Sequence, residues 1–234
     1  MKIEYKDLRL FAYSNDRLVK QPIRGIVIQF FGLGGMTMFQ EDTEQGISYA
    51  EQGVIFLIPY NNPWAWMNRE CVKYADSVIA CVKEHYNLTD IPVISTGGSM
   101  GGLCALTYCY HAAVTPTACA ANCPVCDLPY HYTERPDLPR TLVSAFGSYD
   151  MPLEDAMKTA SPLHLAKNMP DIPYFIAHCT ADQAVNKEQH SDRFVEILKQ
   201  NHRVEYIAVP DRGHCDLTPE ARKQYEDFIL AHCK

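Results

Sequence analysis

The chain has 234 residues, of which 47% are hydrophobic and 21% are charged. This composition is typical of a folded globular protein and excludes a disordered or low-complexity chain. The length predicts one large domain that buries a core without needing disulfide bonds. The formal net charge of −7 argues against a nucleic-acid-binding surface, because phosphate binding requires clustered Lys and Arg side chains.

Apolar runs of strand length alternate with segments of helical periodicity, a pattern typical of a mostly parallel sheet flanked by helices. In chain order we predict strand 3–13, strand 25–31, helix 41–51, strand 54–59, helix 69–85, strand 91–95, helix 103–111, strand 117–124, strand 174–179, helix 187–200, strand 204–209 and helix 219–233. Prolines interrupt 126–173, and proline divides a long helix into short pieces. We therefore interpret 1–234 as a single α/β domain with an insertion or cap at 126–173.

The ten cysteines are too small a share of the chain to indicate a disulfide scaffold. Five of them lie in apolar stretches that we predict to be core: Cys81, Cys104, Cys109, Cys119 and Cys179. Cys123 and Cys126 have the spacing of a redox or zinc motif, but no second Cys pair or His pair accompanies them at metal spacing. We expect reduced thiols and no metal site.

The N-terminal residues contain no continuous apolar segment, so we expect no secretory signal. No uncharged apolar run reaches the roughly 18 residues that a membrane span requires. A cytoplasmic protein without membrane contact is the expectation, and reduced cysteines fit that compartment.

The most informative segment is Gly-Gly-Ser-Met-Gly at 97–101, between a predicted strand and a predicted helix. It fits the pattern Gly-x-Ser-x-Gly, and its place between a strand and a helix makes the match specific. The chain reverses at Ser99, which strains the backbone there and lifts the hydroxyl above the sheet. A plain structural turn is the alternative, whereas a phosphate loop is disfavoured because no Lys follows the glycines.

With this motif the chain resembles the α/β-hydrolases, above all small esterases and the catalytic domain of prolyl-oligopeptidase-like enzymes. The resemblance extends from about residue 25 to the C-terminus. It implies an α/β-hydrolase fold, no cofactor, and the chain order nucleophile, acid, histidine. Ser99, Asp182 and His214 occupy those positions. Asp182 follows a predicted strand that keeps the family's His178 and Val185, with Cys179 where glycine is usual.

The roles that this resemblance implies follow from proton chemistry. His214 removes the proton of Ser99, and Asp182 holds the imidazole in the correct tautomer. The backbone N–H of Met100 donates to the oxyanion, together with Leu33 and Gly34 of a loop that resembles the family's His-Gly-Gly-Gly segment. The alternatives are a turn-forming Asp, a histidine without function and a simple glycine-rich turn.

Both tryptophans of the chain lie just after a predicted strand, next to a tyrosine. Tyr60, Trp64 and Trp66 are therefore candidate substrate contacts that stack a sugar ring or hold an aromatic acyl group. Equally, the two tryptophans can pack the insertion onto the sheet.

We predict a serine esterase that cleaves a small acyl ester, with carbohydrate esters among the candidates. The alternatives are a peptidase acting on small peptides and a non-catalytic binding protein with a hydrolase fold. Because only about 25 residues precede the core of the predicted sheet, we expect no substrate-screening propeller, which favours esters. The expected partner is the small-molecule ester, and the sequence does not indicate an oligomeric state.

Overall fold

The computed structural model describes residues 2–20 and 22–233. In this part of the chain, seven strands form one sheet: β1 (Ala12–Ser14), β2 (Gly25–Phe30), β3 (Val54–Pro59), β4 (Val93–Gly98), β5 (Ala118–Asn122), β6 (Tyr174–Cys179) and β7 (Val204–Val209). Their spatial order is β1-β3-β2-β4-β5-β6-β7. Only the β1–β3 pair is antiparallel among the paired strands of these residues, which confirms the predicted mostly parallel sheet.

The helices flank this sheet. The α-helices are α1 (Leu8–Phe11), α2 (Glu44–Glu51), α3 (Arg69–Tyr86), α4 (Met100–His111), α5 (Leu128–Glu134), α6 (Leu138–Phe146), α7 (Leu153–Lys158), α8 (Pro162–Leu165), α9 (Arg193–Leu198) and α10 (Pro219–Ala231). A π-helical segment, Glu188–Asp192, leads into α9. The predicted series of short helices lies between β5 and β6.

Side-chain caps fix several helix starts. The side chains of Thr43, Asn68, Asp127 and Thr218 each accept a backbone N–H from the first turn of α2, α3, α5 and α10, respectively. Such a cap satisfies a donor that has no partner inside the helix, and it typically stabilises by about 1 kcal/mol. These four residues therefore set where the helices around the sheet begin.

The sheet is buried on both faces. In β2, Ile26 and Ile28 belong to one apolar cluster, whereas Val27 between them belongs to another. Successive side chains of a strand point to opposite faces, so the two clusters lie on opposite sides of the sheet. This double burial explains why the strands read as continuous apolar runs. The predicted burial of Cys81, Cys104, Cys109, Cys119 and Cys179 is confirmed.

The predicted strand over 3–13 is wrong for most of its length. Tyr5–Asp7 forms a 3₁₀ turn, α1 follows, and only the three residues of β1 join the edge of the sheet. The buried apolar residues of this segment are Ile3, Leu8, Ala12 and Tyr13. Their irregular spacing does not fit the alternation of a half-buried strand.

The topology brings four loops to one edge of the sheet. The candidate site residues follow β2, β4, β6 and β7, which are parallel to one another. Their carboxyl ends therefore lie at the same edge, where α/β sheets place their sites. No helix among the described residues combines the length and the apolar character that a membrane crossing requires.

Candidate active site

Ser99 occupies the single residue between β4 and α4. Its backbone has φ 59° and ψ −127°, a region that residues with a side chain avoid at a cost of about 1–3 kcal/mol. The Ser99 N–H donates to the Asn122 carbonyl at 2.9 Å, and its carbonyl accepts the Leu103 N–H at 3.1 Å. These bonds hold the strained turn in place between β5 and α4.

Two glycines flank Ser99 where backbones meet. A Cβ at Gly97 would lie 2.2 Å from the Gly101 carbonyl oxygen, and a Cβ at Gly101 would lie 2.2 Å from the Phe30 carbonyl oxygen. No side chain fits at such distances. The close approach of β2, β4 and α4 therefore requires glycine at both positions, as the crowding argument predicts.

His214, in the loop after β7, is hydrogen-bonded to Asp182, in the loop after β6. His214 Nδ1 lies 2.6 Å from Asp182 Oδ2. Because a carboxylate only accepts, Nδ1 carries the proton and the neutral ring keeps a free lone pair on Nε2. Burial of the ring lowers the pKa of His214, but the hydrogen bond and the charge of Asp182 outweigh burial and raise that pKa above its ordinary value.

The Asp182 side chain is fully buried and held from several sides. Its Oδ1 accepts the Ala184 N–H at 2.8 Å and the Val185 N–H at 3.0 Å, and its Oδ2 lies 3.3 Å from His178 Nε2. Burial raises the pKa of Asp182, yet the hydrogen bonds from the two histidines and the backbone outweigh it and hold that pKa well below its usual range. The group is therefore a carboxylate at neutral pH, serving as a turn acceptor and as a partner of His214 together.

Ser99 and His214 line one cavity of about 610 Å³. Its wall also includes Arg135 and Arg222, with Glu226 as the acidic residue. The structure therefore brings the predicted nucleophile and base to a common cavity, with the predicted acid behind the base. A larger cavity of about 760 Å³ elsewhere is lined without any serine, histidine or cysteine, so it offers no comparable chemistry.

Two of the predicted backbone donors lie near Ser99. Met100 is the first residue of α4, where an N–H has no acceptor within the helix. Leu33 lies in the cavity wall, and a Cβ at the neighbouring Gly32 would be 3.9 Å from Ser99 Cβ. The prediction for Gly34 is wrong, because its N–H already donates to the Pro63 carbonyl at 3.0 Å. Met100 and Leu33 remain as the candidate donors.

The predicted aromatic contacts lie outside this cavity. Tyr60 and Trp64 line a separate cavity of about 260 Å³, and the Arg140 guanidinium lies over the Trp64 ring. Trp66 is fully buried, and its indole N–H donates to Thr141 Oγ1 at 3.0 Å. Substrate contact by Trp66 is therefore wrong, because its side chain has no exposed surface, and the alternative of packing the insertion holds for it.

Sequence reasoning missed two features of the site. The first is the contact of His178 with the Asp182 carboxylate. His178 lies four residues before Asp182 in the sequence, and this spacing is the signal that could have indicated the contact. Arg135 comes from the insertion, where no pattern connected it to Ser99. Its guanidinium pairs with Asp137 at 2.8 Å.

Three comparisons with known proteins bear on this arrangement. A model of the prolyl oligopeptidase family matches residues 67–234. No sequence relative was found among proteins of curated function. Solved structures, by contrast, include several with the same fold.

A puromycin hydrolase has a TM-score of 0.73 and 17% identity, covering 91% of this chain and 34% of its own. The acylaminoacyl peptidase of Pyrococcus horikoshii has a TM-score of 0.68 and 15% identity, covering 90% and 37%. The esterase Est2 of Thermogutta terrifontis has a TM-score of 0.67 and 20% identity, covering 94% and 86%. The chain thus spans about a third of the first two proteins. These likenesses confirm the predicted α/β-hydrolase fold.

Proposed function

Because the chain belongs to the prolyl oligopeptidase family of serine hydrolases, we propose that it cleaves a small acyl ester through an acyl-enzyme on Ser99. One observation carries the proposal. The 2.6 Å bond between His214 and Asp182 leaves Nε2 unprotonated in the cavity whose wall contains the strained Ser99. This is the chemical requirement for turning a weakly acidic hydroxyl into a nucleophile.

In the first half-reaction, Ser99 Oγ attacks the ester carbonyl carbon while its proton passes to His214 Nε2. The resulting oxyanion accepts hydrogen bonds from the N–H groups of Met100 and Leu33, each contributing on the order of 3–4 kcal/mol in the transition state. Collapse of the intermediate breaks the bond to the leaving oxygen, which takes the proton from His214. An acyl group remains on Ser99.

In the second half-reaction, water attacks the acyl carbon and gives its proton to His214. The carboxylic acid leaves, and Ser99 regains its proton. Asp182 stays ionised throughout, because its pKa is held well below the usual range. Its negative charge stabilises the imidazolium that forms twice in each cycle.

The charged residues of the cavity wall favour a negatively charged substrate. Arg135 in the cavity wall is already paired with Asp137 at 2.8 Å, so Arg222 on the same wall is the arginine that we expect to meet a negative charge on the substrate. The insertion supplies Arg135, which supports our interpretation of 126–173 as a cap on a single domain.

An esterase, Est2, and a peptidase, the acylaminoacyl peptidase, both share this fold, so the likenesses of fold are compatible with esters and with peptides. The family match favours short peptides as the second candidate, since the same acyl-enzyme chemistry cleaves an amide once His214 protonates the leaving nitrogen.

The test is a substrate panel. Wild-type protein is assayed with p-nitrophenyl acetate, a p-nitrophenyl ester of a dicarboxylic acid and aminoacyl p-nitroanilides. Ser99→Ala is the test variant, and Ser144→Ala, which changes an exposed serine outside the Ser99 cavity, is the matched control. We expect ester turnover that falls by about 10⁶-fold in Ser99→Ala and is unchanged in the control. Faster anilide cleavage would favour the peptidase, and a folded protein without any turnover would overturn the proposal.

A further inference from the structure

A pair of thiols lies against the candidate catalytic histidine. One ligand atom each of Cys123, Cys215 and His214 falls within 4.8 Å of the other two. Cys215 Sγ is 3.7 Å from His214 Nε2 and lines the Ser99 cavity, whereas Cys123 is fully buried beneath it. The carboxyl ends of β5 and β7 thus bring together two cysteines that are 92 residues apart in the chain.

Both cysteines have an unfavourable backbone. Cys123 has φ 44° and Cys215 has φ 58°, values at which glycine or asparagine is the common choice. Strained backbone conformations of this kind occur mainly at functional sites, so the side chains at these two positions are candidates for a function. Here both side chains are thiols, and both are free.

The surroundings of Cys123 favour a thiolate once its proton is removed. Its sulfur accepts the backbone N–H of Cys179 at 3.3 Å and that of Cys215 at 3.4 Å. Hydrogen bonds to a charged form stabilise that form. The hydrogen bond with the neighbouring Cys215 and burial raise the pKa of Cys123.

His214 is prepared as a ligand by the same contact that prepares it as a base. Its Nδ1 donates to Asp182 Oδ2, which directs the Nε2 lone pair away from the carboxylate. Metal-binding histidines characteristically donate their other ring N–H to a carboxylate, which fixes the ring and raises its basicity. Two sulfurs and one imidazole nitrogen form a donor set that suits zinc.

We propose that Cys123, Cys215 and His214 form a binding site for Zn²⁺, and that this cation inhibits the hydrolase. Two thiol protons leave to solvent as the sulfurs bind, and a water completes a tetrahedral set. With its Nε2 lone pair on the cation, His214 has none left to accept the Ser99 proton. The inhibition rests on the proposed function, but the binding does not.

Binding is tested on the full chain, reduced beforehand and freed of reductant and metal. Co²⁺ is the probe, because thiolate ligation gives a charge-transfer absorption that imidazole or carboxylate ligation does not. We expect one equivalent of Co²⁺, a thiolate band and its displacement by Zn²⁺. Cys123→Ser and Cys215→Ser should each weaken binding by more than about 100-fold. A residue that only hydrogen-bonds to a metal ligand typically contributes less than this. Cys126→Ser, which changes the other cysteine of the Cys-x-x-Cys pair, should bind as wild type does.

Inhibition is tested separately. Ester turnover of wild type and Cys126→Ser should fall on addition of stoichiometric Zn²⁺ and recover with a chelator. The residual turnover of Cys123→Ser, relative to its own metal-free rate, should not respond. Ser99→Ala lacks turnover but should still give the cobalt band, so a failure of the proposed hydrolysis leaves the site testable. Absence of a thiolate band in the reduced protein, or a band that survives Cys123→Ser and Cys215→Ser, would overturn the inference.

Discussion

Replacing Asp182 by Asn tests how the carboxylate prepares His214. Asn can still accept the Ala184 and Val185 N–H groups through one oxygen, so the loop is expected to fold. Its NH₂ group would then face the His214 Nδ1 proton at a position now occupied by an acceptor at 2.6 Å. Two donors repel, and the neutral ring moves its proton to Nε2, where it blocks removal of the Ser99 proton.

The expected effect is a loss of about 10⁴-fold in kcat, or about 5 kcal/mol of transition-state stabilisation. The pH profile gives a second readout. The base must be neutral, so kcat/KM rises with pH through the pKa of His214. In wild type the net effect of burial and Asp182 raises that pKa, which places the acid limb above about pH 6.5. In Asp182→Asn the lowering effect of burial remains, and the limb moves to lower pH.

The assay is steady-state turnover of p-nitrophenyl acetate between pH 5 and 9, with folding verified by circular dichroism. Asp127→Asn is the matched control, since Asp127 is also a buried carboxylate that accepts a backbone N–H but caps α5 instead. A folded Asp182→Asn that retains more than a tenth of wild-type kcat/KM, or an unmoved acid limb, would refute this reasoning.

Three further predictions concern packing and charge. Gly101→Ala places a Cβ 2.2 Å from a β2 carbonyl oxygen and should lower the free energy of unfolding, measured in urea, by about 2–3 kcal/mol. The control is Gly213→Ala, where the new Cβ has open space around it; it should change the free energy of unfolding by less than about 0.5 kcal/mol. Trp66→Phe loses the Thr141 bond and should cost about 1–3 kcal/mol of stability without changing KM; a raised KM would restore its substrate role. Arg222→Gln should raise KM about 2- to 5-fold for an anionic ester but not for a neutral one, an effect that about 0.5 M salt removes; equal effects on both would contradict the charge argument.

Local sequence patterns were sufficient to predict features that depend on residues close together in the chain. The bounds of β3, β6 and β7 agree with the prediction to the residue. β3 and β6 are fully buried runs, whereas in β7 only Val209 is buried. The positions of Ser99, Asp182 and His214 could be inferred because each follows a strand, and parallel strands end at one edge of the sheet.

Contacts between distant parts of the chain could not be inferred. Gly34 matched a donor position, but Pro63 occupies its N–H, and only the folded loops show this. Cys123 and Cys126 have the spacing of a redox or zinc motif, but this spacing does not indicate a contact between Cys123 and Cys215. In the structure, the sheet instead places Cys123 against Cys215 and the next residue, His214. Register along a strand is local information, whereas proximity between strand ends depends on the order of strands in the sheet.

Covalent labelling tests the central assignment most directly. A fluorophosphonate reacts with a serine only when a base activates the hydroxyl, and mass spectrometry of the digested protein locates the adduct. We expect one adduct per chain on the peptide that contains Ser99, no adduct in Ser99→Ala and much slower labelling in His214→Ala. A well-folded wild-type protein that stays unlabelled, or one labelled on a different serine, would contradict the assignment.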